Sequence, residues 1–211
     1  MVEPAPHAAY RIETARMVLR CWSPVDAAAL KTSIDGCLVS LQRWLPWAAR
    51  HPLPLDEVMS DLRAMRRRFD ADEDFAYGAF DPAEAEVVGG GGLHMRAGPD
   101  ARELGYWIHA ERAGTGLATE LGAALCRVAF EIDRVQRIDL RCHTDNGASA
   151  RVAEKLGFVH EGVQRRRLKS RTGELRDGML WTMLRDEFSA SPAASLAAGI
   201  RAHDAADRRI L

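Results

Sequence analysis

Two glycines one residue apart, Gly114 and Gly116, stand directly before a run that reads as a helix, in "ERAGTGLATELGAAL". Bare backbone at a helix start suits an anion, because the first amides of a helix lack intrahelical acceptors and the macrodipole adds positive potential. Two familiar phosphate loops are excluded. A Walker-type loop needs G-x-x-x-x-G-K-[ST], and no Lys follows Gly116; a dinucleotide fingerprint needs a third glycine where Thr119 stands, in an opening βαβ unit. A pyrophosphate cradle of bare amides and a glycine-softened turn both remain open on the loop alone. The other glycine cluster, Gly89 to Gly92, heads no helix and lies inside a strand pattern, which predicts a bulge or a close backbone approach. Cys142 beside His143 offers a nucleophile and a base by type, but adjacent strand residues face opposite ways, which argues against a direct pair. Arg165, Arg166, Arg167, Lys169, Arg171 and Arg176 form the one concentrated charge run, either solvated or a contact for carboxylates or a phosphate.

These residues need elements to hold them. "MVLRCW" from Met17 reads as a strand, and Ser23 with Pro24 give the cap and first-turn signals for a helix through "VDAAALKTSI". An aromatic segment, "LQRWLPWAA", follows and is interrupted by Pro46. Pro54 and Asp56 open a second helix with Val58, Leu62, Met65 and Phe69 on its apolar face. Three strand candidates, "DFAYGAF", "AEVVGGGGLHM" and "RELGYWIHA", are separated by turn-rich "DPAE" and "AGPD", an antiparallel meander. The glycine helix repeats Leu117, Leu121, Leu125, Val128 and Ile132 on one face, and "RIDLRCHT" alternates as a half-buried strand. Asn146 starts a helix that Gly157 closes, and two strands then turn around Thr172 and Gly173. The order implies an α+β fold, a mixed sheet flanked by helices.

Composition narrows the function by exclusion. The chain has 211 residues, 47% hydrophobic and 28% charged, enough for one domain with a full core. Lys plus Arg number 29 against 30 for Asp plus Glu, so no global field recruits nucleic acid or an anionic membrane. No stretch approaches a membrane-spanning length, and the start lacks a signal-peptide pattern, so a cytoplasmic location is expected. Cys21, Cys37, Cys126 and Cys142 lie far apart without CxxC pairing, which predicts reduced packing residues and no metal site.

"ELGYWIHAERAGTGLATEL" followed by "NGASARVAEKLGF" resembles the GNAT acetyltransferases, and within them the RimJ/RimL type that acetylates ribosomal-protein amino termini. "LQRWLPWA" is similar to a segment on the substrate side of that subgroup, which marks Trp44 and Trp47 as acceptor contacts. The resemblance covers most of Met17 to Leu184. It implies a GNAT-like, mostly antiparallel central sheet, with residues 1–14 as an N-terminal extension, 15–188 as the acetyltransferase domain and 189–211 as an alanine-rich tail. It also implies acetyl-CoA as cosubstrate. The pantetheine arm would run along main chain near Trp107, Ile108 and His109, the pyrophosphate would sit on the amides of Gly114, Thr115, Gly116, Leu117 and Ala118, and Asn146 would touch the cofactor arm. One position departs from the family pattern. With Gly116 and Ala118 in register, the family's Arg or Gln falls on Ala113, while Arg112 lies one residue early and is expected to supply the charge.

The implied chemistry is modest. An amine must lose a proton and attack a thioester carbonyl, and the leaving thiolate needs a proton. Glu103, at the start of the cofactor strand, is the expected base and Ser149 the expected acid or hydrogen bonder near sulfur, with Tyr106 a weaker proton donor. As plain structure, Glu103 would be a strand-end residue and Ser149 a helix first-turn residue. The expected reaction is direct acetyl transfer in a ternary complex, most readily to a protein α-amine. A small-molecule amine acetyltransferase and a non-catalytic acyl-CoA-binding module are the alternatives, and a homodimer is compatible with any of the three.

Overall fold

The computed structural model describes residues 8–211. Strands β1 (Arg11–Glu13) and β2 (Val18–Cys21) precede helices α1 (Ala27–Trp44) and α2 (Leu55–Asp70). Strands β3 (Phe75–Phe80), β4 (Val87–His94) and β5 (Ala101–Ile108) form the meander. Helix α3 (Leu117–Arg127), strand β6 (Arg137–His143) and helix α4 (Gly147–Leu156) follow, then the hairpin of β7 (Val159–Lys169) and β8 (Leu175–Leu184). The chain ends with short helices α5 (Arg185–Phe188) and α6 (Pro192–Leu196) and strand β9 (Arg201–His203). The nine strands of the described residues join one sheet in the order β7-β8-β6-β5-β4-β3-β2-β1-β9. Every pairing is antiparallel except β5 with β6.

Two cores clothe the two faces, and the pleat sorts neighbours between them. Val87 joins Trp22, Leu30, Ile34, Leu41, Leu62 and Phe80 under α1 and α2, whereas adjacent Val88 joins the larger core with Leu121, Leu125, Leu140 and Leu156 under α3 and α4. The expected apolar face of the glycine-led helix is buried throughout, Leu117, Leu121 and Leu125 in α3 and Val128 and Ile132 in the π-helical turn that continues it. The face of α2 is narrower than its periodicity suggests: Val58, Leu62 and Phe69 are buried, but Met65 is exposed. Strand β6 is buried on both faces, not one. Asp139 and His143 are only 2% and 6% exposed, because β6 lies in mid-sheet between β5 and β8 with layers on either side.

The stretches set apart in sequence at the two ends meet at one sheet edge. Residues 11–13 pair with both β2 and β9, and Arg201 donates to Glu13 at 2.6 Å. The tail therefore extends the sheet as β9, since its alternating Ala202 finds a buried place beside Ile12. Residues 1–7 of the extension lie outside the described residues. All four cysteines are buried and free. No helix among the described residues is long and apolar enough to cross a membrane, and none of their His, Cys, Asp and Glu side chains cluster as a metal site.

The glycine cluster in β4 is a close approach. A Cβ on Gly89 would stand 2.4 Å from the Trp107 carbonyl oxygen, one on Gly90 2.7 Å from the Trp107 indole nitrogen, and one on Gly91 2.8 Å from Leu121. Bare backbone here lets β5, with its indole, and α3 press against the sheet.

Candidate active site

The sheet splits where β5 and β6 part. Their parallel pairing runs from Ala101 with Arg137 to Leu104 with Leu140 and stops, while β5 continues against β4 to Ile108 and β6 continues against β8 to His143. Beyond Leu104 the inner edge of β5 thus has no strand partner among the described residues. A cleft of about 970 Å³ opens there, lined by Trp44, Glu103, Tyr106, Trp107, Gly114, Gly116, Ser149 and Arg167 among others. The sequence motifs, from Trp44 to Arg167, converge on it, and the splay leaves main-chain groups of β5 there without a strand partner.

Strand alternation decides which β5 groups face the opening. The His109 N–H donates to the Val88 carbonyl at 2.9 Å, so His109, and Trp107 two residues before it, turn their main chain toward β4. Tyr106 and Ile108 are left with their main chain toward the open edge. The expected main-chain contact therefore moves from Trp107 and His109 to Tyr106 and Ile108. The His109 ring lies against α1, 3.1 Å from where a Gly36 Cβ would be.

At the end of the cleft, Gly114 and Gly116 adopt left-handed φ of 77° and 89°. This conformation, open to glycine without steric penalty, turns the chain so that α3 points its N-terminus at the cleft. The first helical bond runs from Glu120 N–H to Gly116 at 3.1 Å, which leaves the N–H groups of Leu117, Ala118 and Thr119 ahead of the helix ladder. Thr115 is tied on both sides, its hydroxyl donating to the Arg112 carbonyl at 2.7 Å and its carbonyl accepting from Arg16 at 2.9 Å. A cation seated against the loop is Arg16, itself paired with Glu120 at 2.6 Å; sequence reasoning missed it because it stands 99 residues from Thr115. Arg112 instead pairs with Glu86 at 3.0 Å on the surface, and Ala113 adds no charge. Asn146 caps α4, accepting the Ser149 N–H at 3.2 Å through its side-chain oxygen.

The two faces of the splay differ in chemistry. On the α3/α4 face, Tyr106 and Ser149 share a hydrogen bond of 2.9 Å, and burial pushes the Tyr106 phenol up to about 12, against a smaller opposing effect of Ser149. Burial also raises the Cys142 thiol on this face, which keeps it protonated. On the α1/α2 face stand Glu103, Arg141 and His143, with Trp107 packed at 6.3 Å from Trp47 and Trp44 at 6.3 Å from His143. Cys142 and His143 thus serve opposite faces, as their adjacency predicted. Burial holds His143 below the ordinary histidine value, and its Nδ1 is buried with no hydrogen-bond partner among the described residues.

Glu103 is not a bare strand-end residue. Its carboxylate accepts from Arg96 at 2.8 and 2.5 Å and from Arg141, which also reaches Asp139 at 2.8 Å. Burial pushes its pKa up, but the Arg96 hydrogen bond and charge, joined by Arg141, outweigh it and hold the carboxyl below its ordinary value. Strand alternation would have put Asp139 and Arg141 on one face, and parallel register puts Glu103 opposite Asp139. No sequence signal pointed to Arg96, which arrives from the turn after β4.

The family model described as an acetyltransferase (GNAT) domain matches residues 16–159. The chain is a GNAT acetyltransferase. This GNAT enzyme is 35% identical to YdaF of Bacillus subtilis over 170 residues, 77% of its own length and 85% of the relative's. Mycobacterium smegmatis RimJ in complex with CoA-disulfide superimposes on it with a TM-score of 0.77 at 25% identity, covering 92% of this chain and 94% of that one. RimL, a ribosomal L7/L12 alpha-N-protein acetyltransferase in complex with coenzyme A, gives a TM-score of 0.74 at 20% identity over 82% of this chain and 96% of its own. The mixed, mostly antiparallel sheet flanked by helices is the GNAT fold, and the family's reaction is acetyl transfer from acetyl-CoA to an amine. The residues present fit that cosubstrate: an unpaired strand edge for an amide-bearing arm, and free helix amides beside Arg16 for a pyrophosphate.

Proposed function

We propose that this N-acetyltransferase acts on the α-amine of a protein amino terminus. The observation that carries the reading is the state of Glu103, clamped by Arg96 and Arg141 and held below the ordinary carboxylate pKa. A carboxylate so stabilised stays anionic and is a weak base, so it suits an amine that is already partly neutral. A lysine side chain titrates near about 10.4 and an α-amine near about 7.7 to 8.0, a difference in the supply of neutral nucleophile of roughly 3 to 4 kcal/mol. Trp44 and Trp47, with Trp107 behind them, offer an aromatic wall for a short extended peptide. The likeness to RimL, whose name describes an α-N-protein acetyltransferase, supports the same acceptor.

The roles of this chain's residues follow. Acetyl-CoA, when bound, supplies the activated acyl carbonyl. The amides of Leu117 and Ala118 and the Arg16 guanidinium would hold its pyrophosphate, and the main chain of Tyr106 and Ile108 would align its arm. Glu103 accepts the ammonium as a hydrogen-bond donor and takes its proton, directly or through one water. On the other face the Ser149 hydroxyl donates toward the departing sulfur, and Tyr106, bonded to Ser149 Oγ, orients that donor. No residue of the chain carries the acetyl group.

The test offers peptides with a free Ser, Thr or Ala amino terminus together with amino-blocked lysine peptides and polyamines, and locates the acetyl group by mass spectrometry. Free amino termini should lead in kcat/KM. Label on lysine ε-amines when both are offered, or turnover of polyamines alone, would replace this reading with the small-amine one.

A further inference from the structure

The β7–β8 hairpin is irregular beside the cleft. Gln164 faces Gly178 and Leu168 faces Arg176, so four steps along β7 are matched by two along β8. The surplus is taken up at Arg165, Arg166 and Arg167, with Arg166 at a left-handed φ of 51°. Such bulges bend a strand and re-aim side chains, commonly next to active sites. This one is pinned at both ends. Asp177 accepts the Arg166 N–H at 2.8 Å, and Leu168 closes over Gly178, where a Cβ would stand 2.7 Å from its Cδ1. Farther out, Arg171 donates to Gln42 of α1 at 3.2 Å and ties the hairpin tip to the acceptor side.

Past the bulge, Arg167 and Lys169 line the cleft together with Trp44 and His143. Neither cation has a carboxylate partner among the described residues. Of the other arginines of the cleft wall, Arg96 and Arg141 hold Glu103 and Arg112 holds Glu86, while Arg151 belongs to α4 and not to the hairpin. Three acids of the hairpin region are engaged elsewhere, Asp177 by the Arg166 amide and Asp145 and Glu174 by Arg176, and Glu161 lies at the end of β7 away from the hairpin tip. Unpaired cations thus stand at the acceptor mouth, on a backbone distortion that is held in place.

We propose that Arg167, supported by Lys169, is a specificity-determining residue that binds a carboxylate of the acceptor and selects amino termini with Asp or Glu just behind the reacting residue. The guanidinium fork matches a carboxylate in two parallel hydrogen bonds, which a neutral side chain cannot offer. This inference rests on the amino-terminal reading above and adds to it the class of peptide.

The test compares two peptides with the same first residue, Ser-Asp-Glu and Ser-Ala-Ala at their starts, in steady-state assays of the full chain. The acidic peptide should lead in kcat/KM by about tenfold or more, and added salt should shrink the lead. In Arg167→Ala the lead should collapse toward parity, mainly through a higher KM for the acidic peptide, and Arg167→Glu should invert it. Asp177→Asn, which weakens the hold on the bulge, should move KM in the same direction by less. Equal rates in the wild type, or a lead that survives Arg167→Ala, would overturn the inference while leaving the amino-terminal reading intact. If neither peptide is acetylated on its α-amine while lysine or polyamine is, both fall together. A loss of acetyl-CoA affinity in Arg167→Ala would reassign the arginine to the cofactor's phosphates and equally overturn it.

Discussion

Replacing Gly116 with Val tests the cofactor loop where the backbone itself requires glycine. Gly116 has φ 89°, and a Cβ placed there meets only the Arg16 guanidinium, at 3.4 Å. Crowding is therefore a small effect, and the left-handed backbone is the large one, costing about 1–2 kcal/mol for an L residue and more for a branched one. A valine that escapes by turning φ negative swings the Leu117 and Ala118 amides away from the cleft. Each hydrogen bond to a charged partner is worth about 1.5–3 kcal/mol, so losing one weakens acetyl-CoA binding by about ten- to a hundredfold. Titration calorimetry should read that loss in a protein whose thermal unfolding stays cooperative, with Tm lowered by about 2–8 °C for the strain. Gly91→Val is the control: its Cβ would stand 2.8 Å from Leu121 and 3.1 Å from Leu125 in the core. That overpacking should lower stability by about 1–3 kcal/mol and leave the affinity of the folded fraction unchanged. A folded Gly116→Val protein with wild-type affinity would refute the amide cradle.

Glu103→Gln should keep acetyl-CoA binding and lower kcat by about a hundredfold or more, with a deficit that shrinks as rising pH deprotonates the amine; a wild-type kcat at neutral pH would move proton removal to another group, His143 being next on that face. Because the folded pKa of Glu103 is depressed, its ionised form persists through neutral pH and is lost only below the ordinary carboxylate range. Arg96→Ala removes the largest lowering influence and leaves burial to raise the pKa, so the acid limb of kcat/KM should move to higher pH; an unmoved limb would show that Glu103 does not control it. Ser149→Ala and Tyr106→Phe share one hydrogen bond, so each should lower kcat and the double variant should lose much less than the product of the two. Fully multiplicative losses would mean that the two hydroxyls act apart.

Periodicity and turn chemistry in the sequence already determined the meander, the glycine-led helix α3 with its buried leucines, the Asn146 and Gly157 ends of α4 and the hairpin at Thr172 and Gly173. These are local features: each depends on residues within a few turns or one strand pair, and the sequence carries that information next to where it is used. The resemblance motifs likewise picked out the loop at 114–118 and the strand that leads to it. What only the tertiary structure decided comes from distant segments meeting. Arg16 reaches Thr115, Arg96 and Arg141 clamp Glu103, and β9 closes an edge on β1. The half-buried reading of β6 failed for the same reason, since alternation reports one polar face but not the buried ion pairs that satisfy it. A carboxylate's pKa, a strand's free edge and an arginine's lack of a partner are properties of what stands within a few ångströms in space, and chain order does not encode that distance.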